Sequence, residues 1–237
     1  MKISENVFRK VIANVTLAVI IVSVFAVAFG GDIRSVFTDS QVAQPIYSGN
    51  AQSKNITLMV NVYWGNEFIE PMLGIFREAG VKTTFFVGGM WAERYPELLK
   101  KIAEAGHEIG NHGYYHKDQD KLDYKGNYDE INVAGKMIES VTGIKPSLFA
   151  PPSGAFSTQT LRAAQTLGYR TIMWSKDTID WRDKNADLIK RRATAKIKGG
   201  DLVLMHPTDA TVRALKAILD FYSANGFKVC PVSENIE

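Results

Sequence analysis

Three kinds of hydrophobic patterning divide this chain. From Val11 to Phe29 the residues are almost continuously apolar, broken only by Asn14, Thr16 and Ser23 and preceded by Lys2, Arg9 and Lys10. Residues 30–54 keep no sustained period and carry Gly, Ser, Asp, Gln and Pro45, which reads as a linker. From Asn55 onward, short apolar runs alternate with amphipathic stretches. The runs predict strands over 56–62, 83–87, 108–109, 147–150, 169–174, 202–205 and 227–232. Between them, helices are expected from about Pro71 to Ala79, then over 96–105, 128–141, 158–167, 187–197 and 211–224, several stopped by a glycine. Strands apolar on both faces and separated by helices indicate a parallel sheet with helices outside it. About seven such units suit a small or incomplete (β/α)7-type barrel, with an open doubly wound sheet as the alternative.

The first run is long enough to matter on its own. A helix needs roughly 20 apolar residues to cross a bilayer, and a positive flank favours a cytoplasmic N-terminus. The expected division is a basic flank (1–10), a transmembrane anchor in the lipid bilayer (11–29), the linker (30–54) and an extracytoplasmic domain (55–237). Ala26-Val27-Ala28 also offers a cleavage signal, which would make the domain secreted. The run exceeds the usual signal core of about 7–15 residues, so a retained single-pass anchor in the cell membrane is the reading adopted.

Composition narrows the rest. With 46% hydrophobic and 22% charged residues the chain is ordinary globular protein rather than disordered. A net charge of +3, without a basic stripe interleaved with aromatics, excludes a nucleic-acid footprint. The single cysteine, Cys230, excludes an internal disulfide and any Cys-rich zinc site.

The chemistry-bearing residues gather at predicted strand ends, where α/β folds build their sites. Gly110-Asn111-His112-Gly113-Tyr114-Tyr115-His116 places two histidines four apart, a spacing able to hold a divalent metal through neutral imidazoles. Asn61, Pro151 and Pro152, Asp177, Asp180 with Trp181, and His206 fall at the other strand ends. Each also has a plain structural use: the aspartates as caps or turn residues, Trp181 and His206 as core.

These segments resemble the polysaccharide deacetylases of the NodB-homology type, carbohydrate esterase family 4. The resemblance runs from about Asn55 to the C-terminus. It rests on Gly106 to His116, on Phe149-Ala150-Pro151-Pro152-Ser153-Gly154, on Asp177-Thr178-Ile179-Asp180-Trp181 and on Leu204-Met205-His206, in the family's order. It implies a deformed NodB-like barrel that removes acetyl groups from N-acetylated sugars with a metal-held water. His112 and His116 would be metal ligands, with zinc the expected metal. His206 would be the general acid and Asp177 the carboxylate that tunes it. Trp181 and Leu204 would line the acetyl pocket, and Pro151 and Pro152 would border the substrate.

The first motif departs from the family's Thr-Phe-Asp-Asp-Gly, reading Met59-Val60-Asn61-Val62-Tyr63. Asn61 stands where the base would be, Val62 where the third metal ligand would be, and Ala150 where an arginine would steady the base. An amide cannot take a proton at neutral pH, and losing a general base typically costs ~10²–10⁴-fold. Two readings follow. One is an anchored deacetylase of cell-wall glycan, peptidoglycan or chitin-like, with weakened catalysis. The other is a catalytically silent protein that binds glycan or a partner. The Trp64-Gly65 pair and Ala150 resemble a subset of the family associated with spore formation.

Overall fold

The computed structural model describes residues 14–24 and 42–237. Residues 14–24 are helical. Among the described residues no helix is long and apolar enough to cross a membrane. The basic flank, the rest of the expected anchor and the linker up to residue 41 lie outside the described residues. The remainder of the chain, Val42–Glu237, is a compact unit.

Eight strands form one parallel sheet in this unit: β1 (Asn55–Val62), β2 (Thr84–Val87), β3 (Glu108–Asn111), β4 (Leu148–Phe149), β5 (Arg170–Thr171), β6 (Lys176–Asp177), β7 (Leu202–Met205) and β8 (Lys228–Val229). Their order is β5-β4-β3-β2-β1-β7-β6, with β8 pairing the start of β1. The sheet curls into a half-barrel, but β5 and β6 share no ladder, so the expected barrel stays open at one seam. Part of the segment read as linker bridges to residues beside β5 and β7. Ile46 bridges to Ile172, Ser48 bridges to Asp201, and Ile46 packs on the interior cluster.

The twofold alternation of a strand decides which residues face inward. Along β1, Met59 joins Phe86, Leu148, Ala150, Ile172 and Leu202 inside the curl. Ile56, Leu58, Val60 and Val62 join the larger core between sheet and helices, with Phe76, Phe85, Leu99 and Ile218. The interior is narrow: a Cβ on Gly110 would lie 2.4 Å from the Phe86 ring, so only glycine fits there. The bottom is plugged by the short helix Val232–Asn235, where the predicted last strand ends early. Its first amide donates to Thr84 Oγ1 (2.8 Å) and Asn235 Nδ2 donates to Thr57 Oγ1 (3.1 Å).

Other boundaries differ from expectation for identifiable reasons. The first helix after β1 spans Asn66–Glu78 and carries Pro71 inside it rather than near its start, because Gly65 in the left-handed region (φ 75°) turns the chain into helix early. A helix over Gly89–Arg94 was not predicted; its six residues are too short for a period to show. The long helix begins at Tyr124, four residues before the periodic stretch, because Asp123 caps it by accepting from the Gly126 amide (2.7 Å).

Candidate active site

The C-terminal ends of the strands open onto a cavity of about 360 Å³. Its lining is Asn61, Tyr63, Trp64, His112, His116, Ser153, Trp174, Asp177, Trp181, Leu204 and His206. Seven sequence-selected residues are therefore brought together: Asn61, His112, His116, Asp177, Trp181, Leu204 and His206. Pro151 and Pro152 are not in the lining. Both are buried, and the neighbouring Ser153 lines the cavity instead.

His112 follows β3 directly and is 1% exposed. Its Nδ1 lies 2.7 Å from the Ala150 carbonyl. A carbonyl only accepts, so Nδ1 carries the proton and Nε2 keeps its lone pair. Burial, and then the neighbouring His116, push the His112 pKa down to about 3, and burial chiefly lowers His116 as well. Both rings are thus held neutral, with their centroids 5.0 Å apart.

The loop carrying His116 is pinned by a residue that the sequence reading missed. Glu130, on the helix Tyr124–Thr142, is buried and accepts from the Tyr114 amide (3.0 Å) and the Tyr115 amide (2.8 Å) through one oxygen. Its other oxygen meets Lys117 Nζ at 3.3 Å. The available signal was an acid on the buried face of an amphipathic helix, which needs partners to be tolerated there. Asp118 lies nearby but pairs with Lys121 (2.6 Å) and does not line the cavity.

The opposite wall corrects the assignment of the carboxylate. Asp180, not Asp177, holds His206: Asp180 Oδ1 is 2.8 Å from His206 Nδ1. Asp180 Oδ2 accepts from the His206 amide (2.6 Å) and from Thr211 Oγ1 (2.5 Å). Asp177 accepts from the Ile179 amide (2.7 Å) and closes the turn between them. That turn puts Ile179, a β-branched residue, at φ 55°. His116 and Ser153 also have φ near this value, at 56° and 55°, so three strained positions ring one cleft. Arg192 secures the turn by donating to the Thr178 carbonyl (2.9 Å).

Aromatic rings complete the walls. Tyr63 stacks on His116 at 4.6 Å and 28°, and Trp64 lies parallel to His206 at 5.8 Å and 7°. Tyr63 is itself seated on Gly88, where a Cβ would come within 2.7 Å of its ring. Asn61, 4% exposed, lines the cavity, and its Oδ1 has no partner among the described residues. Val62 points the other way, into the main core.

For a metal, this set supplies two neutral imidazoles and one amide oxygen. Among the described residues no three His, Cys, Asp or Glu side chains come together to hold an ion. Two imidazoles fall one short of the three strong protein ligands that hold a catalytic metal. What the cleft does offer is flat apolar surface, one unsatisfied buried acceptor and a histidine fixed by a carboxylate. Flat apolar walls with a few convergent polar groups are the usual form of a small-molecule site.

Comparison with known proteins agrees. The polysaccharide deacetylase family model matches residues 48–172. The protein YlxY of Bacillus subtilis, itself uncharacterized, is 40% identical over 200 residues, which cover 84% of this chain and 63% of YlxY. A peptidoglycan-N-acetylglucosamine deacetylase of Bacillus cereus is 32% identical over 174 residues, covering 70% of this chain and 81% of that enzyme. The crystal structure of BA3943 from Bacillus anthracis, described as a carbohydrate esterase family 4 pseudoenzyme, superposes with a TM-score of 0.80 at 37% identity over 82% of this chain and 69% of that one. A mutant of BA3943 described as having restored enzymatic activity superposes equally well, at 0.80. The chain spans 63%, 53% and 52% of three of the curated relatives it matches. Fold, motif order and cleft together make this chain a member of the polysaccharide deacetylase family.

Proposed function

We propose that this protein is an exported, membrane-anchored member of its family that binds N-acetylated cell-wall glycan in a cleft no longer equipped to hydrolyse it. The observation that carries the reading is the buried, partnerless Oδ1 of Asn61 at the base position. An amide oxygen there accepts the N–H of an acetamido group but removes no proton from water. Leu204 and Trp181 receive the acetyl methyl, Trp64 and Trp174 flank the sugar, and His206 is held in one orientation by Asp180. A metal, where bound, would be held by His112 and His116 and would polarise a carbonyl. Val62 adds nothing to that set, so zinc is expected to bind weakly. Residues 11–29 would serve as the anchor, placing the domain on the extracytoplasmic side.

The second reading, slow metal-assisted deacetylation, is favoured by the intact His206–Asp180 pair and the two neutral imidazoles. The pseudoenzyme description of BA3943, and the restored activity of its mutant, support the first. Acetate release from N-acetylglucosamine oligomers and from peptidoglycan, with and without zinc, separates the two. The expected result is binding without release by the natural chain and a gain of release in Asn61→Asp. Zinc-dependent release by the natural chain at a rate matching Asn61→Asp would overturn the binding reading.

A further inference from the structure

A second, smaller pocket of about 170 Å³ adjoins the cleft, lined by Tyr63, Trp64, Asn66, Met90, Trp91, Arg94 and Tyr95. Tyr63 and Trp64 belong to both cavities, so one ligand could run from one into the other. The chemistry of the two differs. No acidic side chain lines the smaller pocket, and the exposed Arg94 guanidinium makes no ion pair with any described residue. The indole N–H of Trp91, another lining residue and only 2% exposed, is buried with no acceptor among the described residues. Donors outnumber acceptors here, and the cationic one sits in the open. Trp64 and Tyr95 meanwhile present flat surface, at 43% and 37% exposure.

From this arrangement we infer that the pocket is an accessory subsite for a carboxylate-bearing sugar next to the N-acetylated one, with Arg94 binding the carboxylate and Trp64 and Tyr95 flanking the ring. An arginine fork matches a carboxylate in two bonds, and partial shielding by aromatic walls strengthens them. The subsite makes the cleft selective for acidic over neutral N-acetylated glycan. This inference rests on the glycan-binding reading above and sharpens its ligand class.

The test measures affinity of the full chain, in detergent, for three probes. They are a neutral N-acetylglucosamine oligomer, an oligomer of equal length with lactyl carboxylates on alternate sugars, and that second oligomer with its carboxylates esterified. The acidic oligomer is expected to bind about ten-fold more tightly than the other two, with the advantage shrinking as salt rises. Arg94→Gln should abolish the advantage and leave neutral binding unchanged. Equal affinity for acid and ester, or an unchanged preference in Arg94→Gln, would overturn the subsite while leaving glycan binding intact. Failure of all three probes to bind would instead overturn the glycan-binding reading and this inference with it. Arg94 is exposed, so an unchanged melting temperature in Arg94→Gln confirms that its fold survives.

Discussion

Asp180 grips His206 at two points, its side chain and its own backbone: one carboxylate oxygen lies 2.8 Å from the ring Nδ1 and the other 2.6 Å from the amide nitrogen. The second oxygen also takes the Thr211 hydroxyl, so one buried carboxylate ties the end of β7 to the start of the helix Asp209–Ala224. Such a carboxylate supports the fold as well as the histidine.

Replacing Asp180 should therefore cost stability before it costs binding. Asp180→Ala leaves a buried amide and hydroxyl without an acceptor, and each such orphan costs about 1–3 kcal/mol. Denaturant unfolding should show a midpoint shift equivalent to several kcal/mol. Asp177→Ala, which loses only a turn bond to the Ile179 amide, should shift it far less. Equal effects would mean that Asp180 is not the structural carboxylate.

Asn61 gives the opposite prediction. Its Oδ1 is already unsatisfied, so Asn61→Ala removes no native hydrogen bond from that atom. Stability should change by less than about 1 kcal/mol, because deleting an orphaned polar atom offsets the lost packing. Affinity for N-acetylated oligomers should fall about ten-fold, since the acceptor for the acetamido N–H is gone. Calorimetry on the two proteins reads both quantities, and unimpaired affinity would sink the proposed role of this amide.

Glu130 predicts a loop effect. Glu130→Ala frees the Tyr114 and Tyr115 amides and unpins the turn between His112 and His116. The expected loss is about 2–4 kcal/mol, with Glu130→Gln intermediate because its amide oxygen still accepts from the backbone. Amide exchange at Tyr114 and Tyr115 should accelerate in the alanine variant by more than at β1 residues. Uniform acceleration would assign Glu130 to general packing.

The remaining histidine sets a pH dependence far from the cleft. His107 is 4% exposed between Phe76 and Phe85, and its Nδ1 accepts from the Thr83 amide (3.1 Å). Burial, followed by the charge of Lys82, lowers its pKa to about 4. A group whose folded pKa is depressed binds fewer protons folded than unfolded. Its contribution is thus complete above the unfolded value of about 6.5 and is lost as pH falls towards 4. The melting temperature should drop between pH 7 and pH 4.5, and His107→Gln should flatten that slope. A slope unchanged in His107→Gln would place the titration elsewhere, at His112 first.

Much of this site is legible in the sequence, for a geometric reason. In a parallel βα sheet the C-terminal strand ends share one face, so chemistry-bearing residues placed at those ends must converge. Asn61, His112, Asp177 and His206 were found by that logic, and Leu204 only through the family resemblance. Glu130 was not, because it lies mid-helix and reaches the loop only through packing. Tyr63 stands at a strand end and Trp174 ends a predicted strand, but neither was assigned a role, although both line the cavity.

The sequence by itself determined the alternation of strands and helices, the meeting of the three cleft histidines and the missing carboxylates at Asn61 and Val62, since these follow from residue identity and periods of 2 and 3.6. Tertiary structure alone decided that Asp180 rather than Asp177 holds His206. Three residues of spacing leave either carboxylate in reach, and the left-handed turn at Ile179 sends one to the histidine and leaves the other closing the turn. It also decided that Ile46 bridges Ile172 beside β5 and packs on the interior cluster while Ser48 bridges Asp201 beside β7, because a chain segment without a period of its own is placed only by the surface it covers.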